Sequence, residues 1–190
     1  MALLIIGIVV FLGIHLLPAF LGARQALVDK LGENGYKAFF SIASILGFVL
    51  LIYGYANAPY IPVWTPPVWT RHLALLLMVP AFIFLVAAYV PGRIKKAVKH
   101  PMLAAIKTWA FAHLISNGDL VGIILFGSFL AYAVYDRIAL KHRQPTELIE
   151  TPGPGSPRND VIAVILGIAL YLIFLIWLHP LLIGKVVLPI

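Results

Sequence analysis

Long apolar runs, separated by short basic or turn-rich stretches, dominate the chain. A helix needs roughly 20 apolar residues to cross the hydrocarbon core of a bilayer. Six segments approach that length: Ala2–Leu21, Ala38–Ala58, His72–Val90, Pro101–Ser116, Leu120–Tyr135 and Val161–Leu178. The pattern predicts an all-α fold, a polytopic membrane helical bundle with about six transmembrane helices, in a single domain over residues 1–190. Pro80 predicts a kink in the third span. Asn117-Gly118-Asp119 predicts a tight turn that makes a helical hairpin of the fourth and fifth. Residues 136–160 read as a polar cytoplasmic loop, within which Thr151-Pro-Gly-Pro-Gly-Ser-Pro157 has the composition of a flexible linker.

Composition supports the membrane reading. Of 190 residues, 62% are hydrophobic and 11% charged, against about a quarter charged in a soluble domain. Cytoplasmic loops retain the excess of Lys and Arg. Here the odd-numbered loops carry Arg24, Lys30 and Lys37, then Arg93, Lys95, Lys96 and Lys99, then Arg137, Lys141, Arg143 and Arg158, whereas the other side holds only Arg71 and Lys185. Both termini are therefore expected outside, with the lipid bilayer as the main partner. The first span has its basic residue after it, the reverse of a cleavable signal, and is expected to remain. The net charge of +7 is scattered between apolar runs, which excludes a nucleic-acid stripe. Tyr60, Trp64, Trp69 and Trp177 fit an interfacial aromatic belt.

Ionisable residues at membrane depth are costly and usually face the protein interior. His15, Lys107 and His113 fall there, with His72, His100 and His179 at helix ends and His142 expected in solvent. His113 shares a stripe with Trp109 one turn before and Asn117 one turn after. It is either satisfied by a neighbouring helix or a metal or cofactor ligand, and the same alternatives hold for His15. Capping or interfacial solvation alone would account for His72 and His100. Asp119 reads as a helix cap. The chain has no cysteine and no G-x-S-x-G, P-loop, dinucleotide or H-E-x-x-H motif, which disfavours soluble hydrolase, kinase and zinc-protease chemistry. Imidazole without thiolate or clustered carboxylate suits haem iron, copper or zinc. A porphyrin also gives buried histidines an apolar slot to line, which makes haem b the best cofactor hypothesis.

Several blocks carry a resemblance: Trp69-Thr-Arg-His72-Leu-Ala-Leu-Leu-Leu-Met78, Tyr89-Val-Pro-Gly-Arg93, Lys99-His-Pro-Met-Leu103, Lys107-Thr-Trp-Ala-Phe-Ala-His-Leu-Ile-Ser-Asn-Gly-Asp119, and Trp177-Leu-His-Pro180. With these the chain resembles the NnrU family of bacterial membrane proteins. That family is associated with nitric oxide reductase function in denitrification and is related to 15-cis-zeta-carotene isomerase, a membrane enzyme with histidine-ligated haem b. The resemblance implies a multi-pass protein of the bacterial inner (cytoplasmic) membrane with both termini periplasmic. It makes His15 and His113 the preferred iron ligands and His72 and His100 the alternates, with Trp109 beside the cofactor. It implies either nitric-oxide-related redox chemistry or cis–trans isomerisation. The alternative is a non-catalytic partner that assists a membrane redox complex such as nitric oxide reductase.

Overall fold

The structure, a computed structural model, describes residues 1–142 and 155–187, apart from the side chain of His142. Residues 151–154 of the linker expected over residues 151–157, and the solvated role expected of the His142 side chain, lie outside these. The elements are α1 (Ala2–Leu16), a tight 3-10 turn (Leu17–Ala19), α2 (Leu21–Ala56), α3 (Val68–Tyr89), α4 (Arg93–Val98), α5 (Pro101–Ser116) and α6 (Leu120–His142). After these come α7 (Pro157–Ile173), a π turn (Phe174–Leu178) and α8 (His179–Ile183). No strand occurs among the described residues, which contain one isolated bridge, Pro62 with Asp119.

Among the described residues, five helical stretches are long and apolar enough to cross a bilayer: Ala2–Ala19, Leu21–Ala56, Val68–Tyr89, Leu120–Lys141 and Pro157–Ile183. The chain is a multi-pass helical membrane protein. The remaining apolar segment, α5, has 16 residues, about 24 Å at 1.5 Å per residue. Large apolar side chains such as Ile42, Leu76 and Ile165 are more than 60% exposed. That exposure is favourable when lipid, rather than water, is the neighbour.

The helices form two compact units, residues 1–66 with 117–143 and residues 67–116 with 144–190. In the first unit α1 and α2 lie antiparallel with their backbones in contact. Gly7 faces the backbone of Leu50 and Leu51, Gly47 that of Phe11, and Gly54 that of Leu3 and Leu4. Such close approach through small residues is how membrane helices gain packing without a hydrophobic driving force between them. Gly32, with φ 72° and ψ 166°, breaks α2 into residues 21–31 and 33–56. This backbone region is essentially open to glycine alone. At the other end of the unit, Ile61 O accepts from Leu120 N at 2.8 Å, and Gly118 O accepts from Val63 N (2.8 Å) and Trp64 N (3.1 Å). Asp119 is buried and its Oδ1 accepts from Gly122 N at 2.8 Å, the helix cap expected of it.

In the second unit α3 packs against both α5 and α7. Gly167 brings α7 onto the backbone of Ile83, and the Tyr171 hydroxyl donates to Leu75 O at 3.1 Å. The turn after α3 is clamped by the start of α7: Asn159 Nδ2 donates to Pro91 O (2.8 Å), and Asp160 Oδ1 accepts from Ile94 N (2.9 Å), capping α4 from a neighbouring helix. Lys95 Nζ donates to Ala88 O at 2.9 Å in the last turn of α3, where a cation also complements the helix dipole.

The spans on either side of Asn117-Gly118-Asp119 fall in different units, α5 packing on α3 in one and α6 on α1 in the other. Two expectations change. The fifth span continues as helix past Tyr135 to His142, because Asp136, Arg137 and Lys141 can solvate themselves beyond the apolar layer without breaking the backbone ladder. Pro157, expected at the end of a linker, opens α7 after Ser156. Its fixed φ and missing N–H suit the first helical turn.

Candidate functional site

Each preferred histidine is oriented by its own helix. His15 Nδ1 lies 2.6 Å from Phe11 O, and His113 Nδ1 lies 2.8 Å from Trp109 O. A carbonyl oxygen only accepts, so in both rings Nδ1 carries a proton. This is the arrangement found behind metal-bound histidine, where a bond from the second nitrogen fixes the tautomer and raises the basicity of the ligating one.

His15 belongs to the first unit and sits among aromatic rings. Its ring centroid is 4.3 Å from Phe11 and 5.2 Å from Phe40, the latter edge-on. His113, in the second unit, has the Trp109 ring at 5.4 Å. The expected Trp109–His113–Asn117 stripe ends early, because α5 stops at Ser116 and Asn117 starts the turn that joins residues 61–64 of the first unit. Ser116 Oγ instead closes the helix on Ala112 O at 2.9 Å.

The structure adds His179 to the residues around His113. The π turn over Phe174–Leu178 changes the phase of the helix just before it, a distortion that recurs at functional sites. His179 Nδ1 lies 2.8 Å from Lys185 O, so this Nδ1 also carries a proton, and Phe174 stands edge-on to the ring at 6.1 Å. His179 stands within electrostatic reach of His113. Phe174 and Tyr171 flank Phe82 at 5.7 and 5.9 Å, extending the aromatic wall into α3. The sequence placed His179 only at a helix end. The apolar run hid the π turn that re-aims it, although His179-Pro180 stood in the last block of the resemblance.

The alternates lie at helix starts. His72 is exposed in the first turn of α3. His100 precedes α5, and the 13 residues from it to His113 amount to about 20 Å along the axis. Lys107 is half-buried in α5 between them.

Among the described residues no three His, Cys, Asp or Glu side chains gather into a metal-binding group. A zinc or copper centre built from protein ligands alone takes three or four such side chains, whereas a porphyrin supplies four nitrogens and asks the protein for one or two imidazoles. In comparison with known families, the family described as NnrU protein matches residues 3–187. The chain belongs to the NnrU family. No curated protein and no solved structure matches it.

Proposed function

We propose that this NnrU-family chain is a haem b protein of the bacterial cytoplasmic membrane, acting in nitric-oxide-related redox chemistry or in cis–trans isomerisation. The observation that supports it is the shared orientation of the His15 and His113 rings, each with Nδ1–H bound to a carbonyl one turn earlier and an aromatic ring beside it. Haem iron held by such an imidazole would supply a redox centre and could bind a small molecule. The protein's own part is to hold the ring planes and exclude water with Phe11, Phe40 and Trp109. His179 is a further donor in the His113 neighbourhood.

The charge distribution of each unit supports termini on the periplasmic side. In the first unit α6 reaches the 3-10 turn after α1, so Arg24, Lys37, Arg137 and Lys141 gather toward one end, while the opposite end carries Asp119 and no lysine or arginine. In the second, Arg93, Lys95, Lys96 and Lys99 surround the α3–α5 connection. Basic ends of this kind stay in the cytoplasm.

The test is the absorption spectrum of protein purified from haem-supplied cells. A Soret band at near-stoichiometric haem is expected, lost or shifted in His15→Ala and His113→Ala. Wild-type protein with no bound haem overturns the proposal and leaves the bundle as a partner for another membrane complex. Co-purification of such a complex from a variant lacking all bundle histidines would identify that role.

A further inference from the structure

The face of α2 that packs on α1 runs on past the end of α1 into an open pocket of about 350 Å³. Gly47 and Gly54 touch the α1 backbone, and Glu33, Tyr36, Lys37 and Phe40 precede them on the same side of the helix, by its steps of three, four and seven residues. These four line the pocket together with Pro18 and Arg24. His15 stands in the last turn of α1, and its ring meets Phe40 at 5.2 Å. Phe40 meets Tyr36 at 6.3 Å, and the buried Tyr36 carries the Arg24 guanidinium over its face, 5.5 Å from the ring centroid. A line of rings therefore leads from a candidate iron ligand to a cation.

In the pocket two cations share one carboxylate. Arg24 Nη2 stands 3.9 Å and Lys37 Nζ 3.6 Å from Glu33 Oε1. Both distances are too long for a hydrogen bond, so neither cation is committed to Glu33 and both can donate to a better-placed acceptor. A carboxylate matches the guanidinium fork, and a flat apolar body matches the rings. Haem b joins the two chemistries, with an iron that takes an imidazole nitrogen, an apolar macrocycle and two propionates along one edge. That charged edge is costly at membrane depth unless it is paired, and the basic pair lies where α1 ends. Resting on the haem reading above, we infer that Arg24 and Lys37 pair with the propionate carboxylates of a haem b ligated by His15. The pocket takes the charged edge, and Glu33 competes with it for the same two cations.

The test separates the iron from the carboxylates. The full chain, purified in detergent from haem-starved cells, is titrated with haem b and with its dimethyl ester, which keeps the iron and loses both charges, and binding is followed at the Soret band. Wild-type protein is expected to prefer haem b over the ester by roughly tenfold, the worth of two part-exposed ion pairs. Arg24→Gln/Lys37→Gln is expected to bind both equally. Glu33→Gln is expected to widen the wild-type preference about threefold, so the inference is testable even where the double variant fails to fold. His15→Ala is expected to shift or abolish the Soret band of both porphyrins. Equal wild-type affinity for the two, a preference that survives in the double variant, or no gain in Glu33→Gln overturns the inference and, where the Soret band still depends on His15, leaves the haem reading standing. A haem b spectrum unchanged in His15→Ala overturns the inference as well. Binding of neither porphyrin overturns both readings. Succinate that displaces haem b at equal concentration assigns the cations to a soluble dicarboxylate and overturns the propionate assignment.

Discussion

Replacing Gly47 by alanine tests the α1–α2 contact that positions His15. A Cβ at residue 47 would lie 2.7 Å from Phe11 N and 2.9 Å from Phe11 Cα. Both are backbone atoms, so no rotamer change relieves the clash. Reaching ordinary contact requires the helices to part by about 0.7 Å, enough to forfeit a quarter or more of the dispersion energy of neighbouring atom pairs. Overpacking of this kind costs about 1–3 kcal/mol. Alanine also raises helix propensity by up to about 1 kcal/mol, which would mask part of the cost in a single measurement. Gly13→Ala supplies the control, because nothing lies within 4 Å of a Cβ there. The propensity gain is common to both variants, so their difference of about 1–3 kcal/mol isolates the packing. Reversible unfolding in bicelles or mixed micelles measures it. Equal stability of the two variants would refute the close approach, and with it the placement of Phe40 against the His15 ring.

Three further substitutions probe single interactions. Gly32→Ala has open space around it, yet φ 72° with ψ 166° strains any side-chain-bearing residue; a loss of about 1–3 kcal/mol is expected in thermal unfolding, and an unchanged midpoint would contradict the break. Asp160→Ala removes the acceptor for Ile94 N; about 0.5–2 kcal/mol of stability should be lost, with faster hydrogen exchange at Ile94 as the local readout. Tyr171→Phe keeps the ring beside Phe82 but drops the bond to Leu75 O, for an expected cost of about 1 kcal/mol.

The spans were legible in the sequence because lipid imposes one rule on every segment: enough apolar residues and a fully bonded backbone. Their partners were not. Asn117-Gly118-Asp119 correctly announced a turn, but only the third dimension shows that it bonds to residues 61–64 and hands α6 to the first unit. The glycines that bring α1 onto α2 have no local signature, since Gly13 and Gly47 look alike along the chain and differ only in what faces them. His15 and His113 stood out as polar residues in apolar runs. Their common ring orientation depends on a ring reaching a carbonyl four residues back, and periodicity does not encode it. His179 needed the π turn, a change of helical phase without a compositional mark.

The first unit is discontinuous along the chain: its two opening helices precede the 50 residues that build part of the second, and α6 joins them only afterwards. During synthesis at the membrane, the α1–α2 pair must therefore wait while α3, α4 and α5 emerge, and those helices in turn wait for α7. Neither half can mature from an uninterrupted stretch of nascent polypeptide. Truncation before Leu120 would leave both halves unfinished at once, which ties the biogenesis of the His15 surroundings to translation of the C-terminal third.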